Sequence, residues 1–319
     1  MARSFLSAAP PTVAVEIART RVSAASIHVR DNALAVAAHA VEHLPAGAVT
    51  PALNAANIAD PRAVTEALRR VFERIGTRPK RIVLAVPDSV AKVSLLRFEK
   101  VPERARDLDE LVRWQVRKAA PFRVEDAQLT YVPGMKGADG SSEFVVVMAR
   151  KDIVQEYEHA CAAAGAQAGV VDLATFNVIN AVLASSSAPA EDWLLVHVTQ
   201  EDATMAILRG DHLVFFRNRA ADGEATLADM VHQTTMYYED RLSGKGFGKV
   251  LLAGTGSAAT QGASDADYLR RALEQRLATR VDQVDPRHAA SLTDRISANP
   301  ELLDALAPLV GLIVREKAA

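Results

Sequence analysis

Two short stretches set small, hydroxyl and charged residues into the turn of a strand pair. The first reads Glu16-Ile17-Ala18-Arg19-Thr20. It ends an alternating run in which Val13, Val15 and Ile17 share one face while Ala14 and Glu16 take the other. The second reads His197-Val198-Thr199-Gln200-Glu201-Asp202-Ala203-Thr204, between the apolar run from Leu194 and a return run to Arg209. Turns of this kind aim backbone N–H groups at an anion, and two of them facing across a cleft cradle phosphates. A third stretch, Gly254-Thr255-Gly256, closes the apolar run Val250 to Ala253. Glycines at a strand end let a flat ligand approach the backbone, or simply make a turn. Asp172 follows the short run Val170-Val171 and reads either as an acid in the cleft or as the N-cap of the next helix.

Other chemistries find no support. Gly244-Lys-Gly-Phe-Gly248-Lys249 lacks the Walker order and lies after a helix and before a strand, the reverse of a phosphate loop, so it reads as a flexible turn. The eight histidines are scattered, and no pair shows helical ligand spacing with a carboxylate, so a zinc site is not expected. No Gly-x-Ser-x-Gly elbow occurs, and Asp88-Ser89 after Pro87 reads as a turn. The single cysteine, Cys161, sits in an alanine-rich stretch and reads as a packed helix face, so no internal disulfide forms. Tyr237-Tyr238 on a long helix predicts one ring in the core and one outside.

The elements that must position these residues follow from periodicity. The 319 residues are 49% apolar, with 37 Lys+Arg against 39 Asp+Glu. A net charge of -2 lacks the basic excess of a nucleic-acid binder. Pro10-Pro11 interrupts any signal-like apolar segment, and the longest apolar run, Ala305 to Val314, is short of a span and contains Pro308. A soluble protein of a reducing compartment is expected. Strand runs at Arg21–Val29 and Leu34–Val41 follow the first, with a turn at Asp31-Asn32. Asp60-Pro61 caps a helix whose face is Val64, Leu68, Val71, Phe72 and Ile75, ended by Gly76. Strands at Ile82–Val86 and Lys92–Phe98 lead to a helix capped by Asp107 and stopped by Pro121. A hairpin (Ala127–Val132, Glu143–Ala149) and a helix capped by Asp152 precede the helix Thr175–Ala184. Ser185-Ser-Ser-Ala-Pro-Ala190 reads as a linker. Beyond it the opening repeats in kind: three strands from Leu194 to Asn218, a helix from about Glu224 to Leu242, and the strand ending in Gly254. Helices Ala266–Ala278 and Glu301–Arg315 close the chain around a strand at Arg280–Val284.

A three-stranded meander followed by a helix therefore occurs twice in a mixed α/β chain, with a natural crevice between the halves. Such duplication is the hallmark of the actin-like ATPase fold. The chain resembles the PilM family, the actin-like and FtsA-like cytoplasmic proteins of type IV pilus assembly. The segment Asp107-Leu-Asp-Glu-Leu-Val-Arg-Trp-Gln-Val-Arg-Lys-Ala-Ala-Pro-Phe122 carries the resemblance best. Val124-Glu-Asp126, Tyr131, Arg81 to Pro87, Ala164-Gly165 before Val171-Asp172, Leu252-Ala-Gly-Thr-Gly-Ser257 and Pro308-Leu-Val-Gly311 match in order and spacing.

The resemblance implies a first lobe over 1–184 with an FtsA-type subdomain at about 81–151, a second lobe over 191–300, and a terminal helix over 301–319 returning to the first. It implies a scaffold under the inner membrane that grips the N-terminal cytoplasmic tail of a PilN-like membrane protein, touching the membrane only through partners. It also implies an ATP site at Ala18, Arg19, Thr20, Thr199, Gln200, Thr204, Gly254, Thr255 and Gly256, with Glu16 and Asp172 as residual acids of the cleft. The chain departs from that pattern. Glu16 replaces an aspartate, Ala18 and Thr199 stand where glycine lets phosphate approach, and His197 replaces a magnesium-organising carboxylate. Hydrolysis is therefore not expected. Two other classes share the fold: an actin-superfamily or sugar-kinase-like enzyme, which needs the carboxylate that His197 replaces, and the cytoplasmic part of a type II secretion L-type protein, which continues into a membrane span.

Overall fold

The apolar runs become two large sheets and one small one. The computed structural model describes residues 11–30, 33–137, 139–185, 189, 191–200, 202–220, 226–258, 263–293 and 296–318. The N-terminal stretch through Pro10, the turn at Asp31-Asn32, most of the linker from Ser185 and the helix start at Glu224 lie outside the described residues. In chain order the elements are β1 (Val13–Ile17), β2 (Arg21–Arg30), β3 (Ala33–His43), α1 (Pro61–Arg74), β4 (Arg81–Val86), β5 (Ala91–Phe98), α2 (Ala105–Arg117), β6 (Ala127–Lys136), β7 (Ser142–Arg150), α3 (Lys151–Ala163), β8 (Gln167–Leu173) and α4 (Ala174–Leu183). The second half follows as β9 (Asp192–Val198), β10 (Asp202–Arg209), β11 (His212–Ala220), α5 (Leu227–Leu242), β12 (Lys249–Ala253), α6 (Thr255–Ala258), α7 (Ala263–Leu277), β13 (Val281–Gln283), β14 (Ser291–Leu292) and α8 (Pro300–Ala318).

The first sheet runs β14-β3-β2-β1-β4-β8 and the second β11-β10-β9-β12-β13. Each is an antiparallel meander extended by parallel strands from its first member. The same plan built twice is the duplicated actin-like fold that the sequence repeat predicts. The small sheet, β5-β7-β6, carries α2 on one face.

Parallel central strands are buried on both faces, and their sequences show it. Ile82 to Val86 in β4 is apolar throughout and buried between β1 and β8. That placement corrects the expected start of the inserted subdomain: Arg81 to Val86 belongs to the first sheet, and the small sheet begins at Ala91. The expected 191–300 lobe is corrected too. Ser291 and Leu292 pair with Ala35 and Val36, at the edge of the first sheet. α1 keeps its predicted cap, with Asp60 accepting from the amides of Arg62 and Ala63. Gly76 leaves it at φ +69°, where a side chain would be strained. α2 and α3 start earlier than predicted, so Asp107 and Asp152 lie inside the first turn, where a carboxylate still favours the helix dipole.

α8 joins the two halves. Leu306, Val310 and Ile313 pack on the first sheet. Gly311 lies so close to α4 that an added Cβ would sit 1.7 Å from the Asn177 carbonyl oxygen. Tyr238 fills the glycine-rich turn at 244–248. Its ring stacks on Phe247 with centroids 4.6 Å apart, and its hydroxyl donates to Asp192 at 2.7 Å. Tyr238 is buried and Tyr237 exposed, as the pair predicts.

Candidate functional site: an inter-lobe cleft and a two-sheet groove

The β1–β2 and β9–β10 turns face each other across a cleft of about 470 Å³. Glu16, Ala18, Arg19, Thr20, Thr199 and Gln200 all line it. Neither turn is an open phosphate cradle. The Ala18 amide donates to the Arg21 carbonyl at 2.9 Å, and the Thr199 amide to the Asp202 carbonyl at 2.9 Å. Both hairpins thus use these N–H groups to close themselves. The Thr199 hydroxyl donates to Asp202 at 2.8 Å, and Glu16 is paired with Arg21 at 3.2 Å.

Gly254, Thr255 and Gly256 do not line this cleft. A Cβ on Gly254 would lie 2.0 Å from the Val198 carbonyl oxygen, and one on Gly256 would lie 2.7 Å from Glu301 Cα. The close approach that demands glycine here is made by the protein itself. Asp304 of α8 accepts from the Gly254 amide at 3.1 Å and the Gly256 amide at 2.5 Å. The residues present therefore do not fit magnesium–ATP as the resemblance implies. Among the described residues, no group of three or more His, Cys, Asp or Glu is arranged to hold a metal.

At the floor of the cleft stands Asp88, which the sequence reads as a plain turn. It follows Pro87 at the carboxyl end of β4, where sites gather in parallel sheets. That position was the available signal, masked by the turn-forming Pro-Asp-Ser. Asp88 is 5% exposed and accepts from the Thr175 amide at 3.1 Å, the Thr175 hydroxyl, and the Thr204 hydroxyl at 2.6 Å. Asn218 Nδ2 donates to the Thr204 oxygen at 2.9 Å. Because the Thr175 hydroxyl proton is committed to Asp88, His197 Nδ1, 2.7 Å from that oxygen, must carry the proton and donate. Burial raises the Asp88 carboxyl above its ordinary range, and His197 and the two hydroxyls oppose the rise. Thr204 is thus a buried link between lobes and not a lining residue. A buried carboxylate with three donors is a structural anchor, poorly suited to proton transfer.

Asp172 lies elsewhere, in a groove between the first sheet and the small sheet. It is not the cap of α4, whose N-cap is Leu173. Its Oδ1 accepts from the Leu173 amide at 2.9 Å and its Oδ2 from Arg315 of α8 at 2.7 Å. Burial raises its carboxyl, and Arg315 opposes the rise. Two cavities of about 480 and 290 Å³ meet at Thr130, Val147, Asp172 and Arg315. Their walls are edge strands. β8 ends the first sheet and β6 ends the small one. β6 alternates, sending Leu129 and Tyr131 to the small core while Gln128, Thr130 and Val132 face the groove. Val86, Val90, Val170 and Val171 line one half of the groove, and Phe176, Ile179, Leu183 and Leu213 the other. The resemblance names no groove residues. They come from stretches scattered between Val86 and Arg315, which no local motif marks.

A family model described as type IV pilus assembly protein PilM matches residues 14–246. No curated protein matches. Among solved structures, the PilM-PilN type IV pilus biogenesis complex superposes with a TM-score of 0.80 at 19% identity, covering 96% of this chain and 98% of that one. The cytoplasmic domain of EpsL, an inner-membrane component of the type II secretion system of Vibrio cholerae, gives 0.49 at 11% identity, over 96% and 94%. The ethanolamine utilization protein EutJ from Carboxydothermus hydrogenoformans gives 0.48 at 10% identity, over 96% and 90%. The family match favours neither the kinase-like nor the type II secretion alternative. It spans both cleft turns, Asp88 and both groove strands, and the chain belongs to the type IV pilus assembly protein PilM family.

Proposed function

We propose that this chain is an adaptor of the type IV pilus inner-membrane assembly complex, holding the extended cytoplasmic tail of a PilN-like membrane protein in the groove between β8 and β6. The observation that carries this reading is the pair of facing sheet edges over a continuous, mostly apolar groove. An extended segment gains main-chain hydrogen bonds from a free strand edge, and its apolar side chains fill the cavities on either side of Asp172. Membership of the PilM family and the likeness to a PilM–PilN complex support the same partner. Among the described residues no helix is long and apolar enough to cross a membrane, so attachment through a bitopic partner suits the chain. The adaptor works at the cytoplasmic face of the inner membrane.

Magnesium-dependent ATP hydrolysis is not part of this reading, since both turn amides, Asp88 and the glycine turn are already engaged within the protein. Titration with a fluorescent ATP analogue, with and without magnesium, is expected to show no gain in affinity from the metal. Calorimetry with a synthetic peptide of the PilN-like protein's cytoplasmic N-terminus tests the groove. Binding is expected, and Thr130→Trp, which fills the junction of the two cavities from an exposed position, is expected to abolish it. Equal binding by the wild type and Thr130→Trp would place the peptide elsewhere.

A further inference from the structure

The segment from Val86 to Ala91 borders two sites at once. Pro87, Asp88 and Ser89 line the inter-lobe cleft, while Val86, Val90 and Ala91 line the groove. Asp88 sits at the pivot of this alternation. Its side chain is held from the second lobe by Thr204 at 2.6 Å, and by His197 through Thr175. Its main-chain carbonyl accepts the amide of Ala91, the first residue of β5, while Pro87 accepts the amide of Val90 at 3.2 Å. One residue therefore ties a groove wall in the first half of the molecule to a buried hydroxyl in the second.

We infer that Asp88 is a positioning residue for the groove: the second lobe, through Thr204, sets where Val90 and Ala91 stand, and so sets the groove's affinity for its extended ligand. This deepens the proposed partner site and rests on that reading for its binding readout. The physical basis is that the tie is buried and fully satisfied, so it has one favoured geometry. Breaking it frees a short turn with two amide bonds of its own and little else on the cleft side. Coupling is reciprocal, so a ligand seated against Val90 should in turn order the Thr204 contact.

The test compares Thr204→Val, which keeps the shape and removes the hydroxyl, with Thr204→Ser, which keeps the hydroxyl. The probe is the synthetic N-terminal peptide used above. Thr204→Val is expected to weaken peptide binding by about 2- to 30-fold, the span of coupling energies carried through such networks. It is also expected to speed amide exchange over residues 88–93 without peptide present, relative to α5. Thr204→Ser should restore both. Should Thr204→Val fail to fold, Asp88→Asn takes its place with the same two readouts. A Thr204→Val protein that melts lower but keeps wild-type affinity and wild-type exchange at 88–93 would overturn the inference, leaving the tie purely structural. If the wild type binds no peptide, the partner reading has failed, and the exchange arm alone decides: unchanged exchange at 88–93 overturns the positioning role.

Discussion

At the scale of single residues, Asp88 sets a pH signature. Its carboxyl is raised above the ordinary 3.8 by burial. An acid whose pKa is raised on folding binds its proton more tightly in the folded state, so stability falls as pH climbs from that ordinary value through the folded one, then levels. Asp88→Asn removes this dependence. The melting temperature of the wild type minus that of Asp88→Asn is therefore expected to fall with rising pH across this window; a difference that grows instead would show that the carboxylate is the favoured buried form. Gly254 gives a steric test. At φ +82°, with the Val198 carbonyl oxygen in the path of any Cβ, Gly254→Ala combines left-handed strain with overpacking. A loss of about 2–4 kcal/mol is expected in denaturant unfolding. A loss below about 0.5 kcal/mol would mean the turn re-forms around the methyl group.

Among elements, α8 reads both halves. Its Asp304 holds the glycine turn after β12, its Gly311 lies against α4, and its Arg315 reaches Asp172 in the groove. Asp304→Ala leaves two amides of that turn without their carboxylate, and an unmet buried donor costs about 1–3 kcal/mol. The expected outcome is a lowered unfolding midpoint with the slope unchanged, since the folded surface is the same. α5 offers a contrasting case. Tyr238 donates to Asp192, which Arg209 also grips through three contacts between 2.9 and 3.1 Å. Burial pushes the Asp192 carboxyl up, but these hydrogen bonds outweigh it and hold the carboxyl below its ordinary range. A depressed acid adds stability above its unfolded pKa and loses it as pH falls through the folded value. Tyr238→Phe removes one of the bonds. Its destabilisation is expected to be larger at neutral pH than in acid, measured by urea unfolding at both.

On the scale of the whole molecule, the lobes are not independent. α8 covers the first sheet while bonding the second half, and β14 closes the edge of the first sheet from late in the chain. One cooperative calorimetric transition is expected for the full chain. A chain ending at Asn299 loses Leu302, Leu306, Leu309, Val310, Leu312 and Ile313 from one core cluster, and at about 1.5–3 kcal/mol for each buried large side chain that is comparable to the whole of an ordinary domain's stability. Recovery of a soluble, cooperatively melting 1–299 fragment would refute the dependence.

Local pattern determined much of this protein. Alternation marks β1, a 3.6-residue stripe and an Asp-Pro cap mark α1, and the repeated meander announces two lobes of one plan. The turn residues at 18–20 and 199–200 line one cleft, because a duplicated sheet puts its hairpins on one crevice. What the turns hold was decided only in three dimensions. The glycines of 254–256 look the same in sequence whether a ligand or Asp304 approaches them. Asp88 looks like any Pro-Asp turn until Thr175 and Thr204, 87 and 116 residues away, supply its hydrogen bonds. Asp172 reads as a cap or a cleft acid until Arg315 pairs with it from 143 residues away. Periodicity records which face of an element is buried, and that is a local property. The partner of a buried polar group is set by how distant elements cross, and no spacing along the chain encodes it.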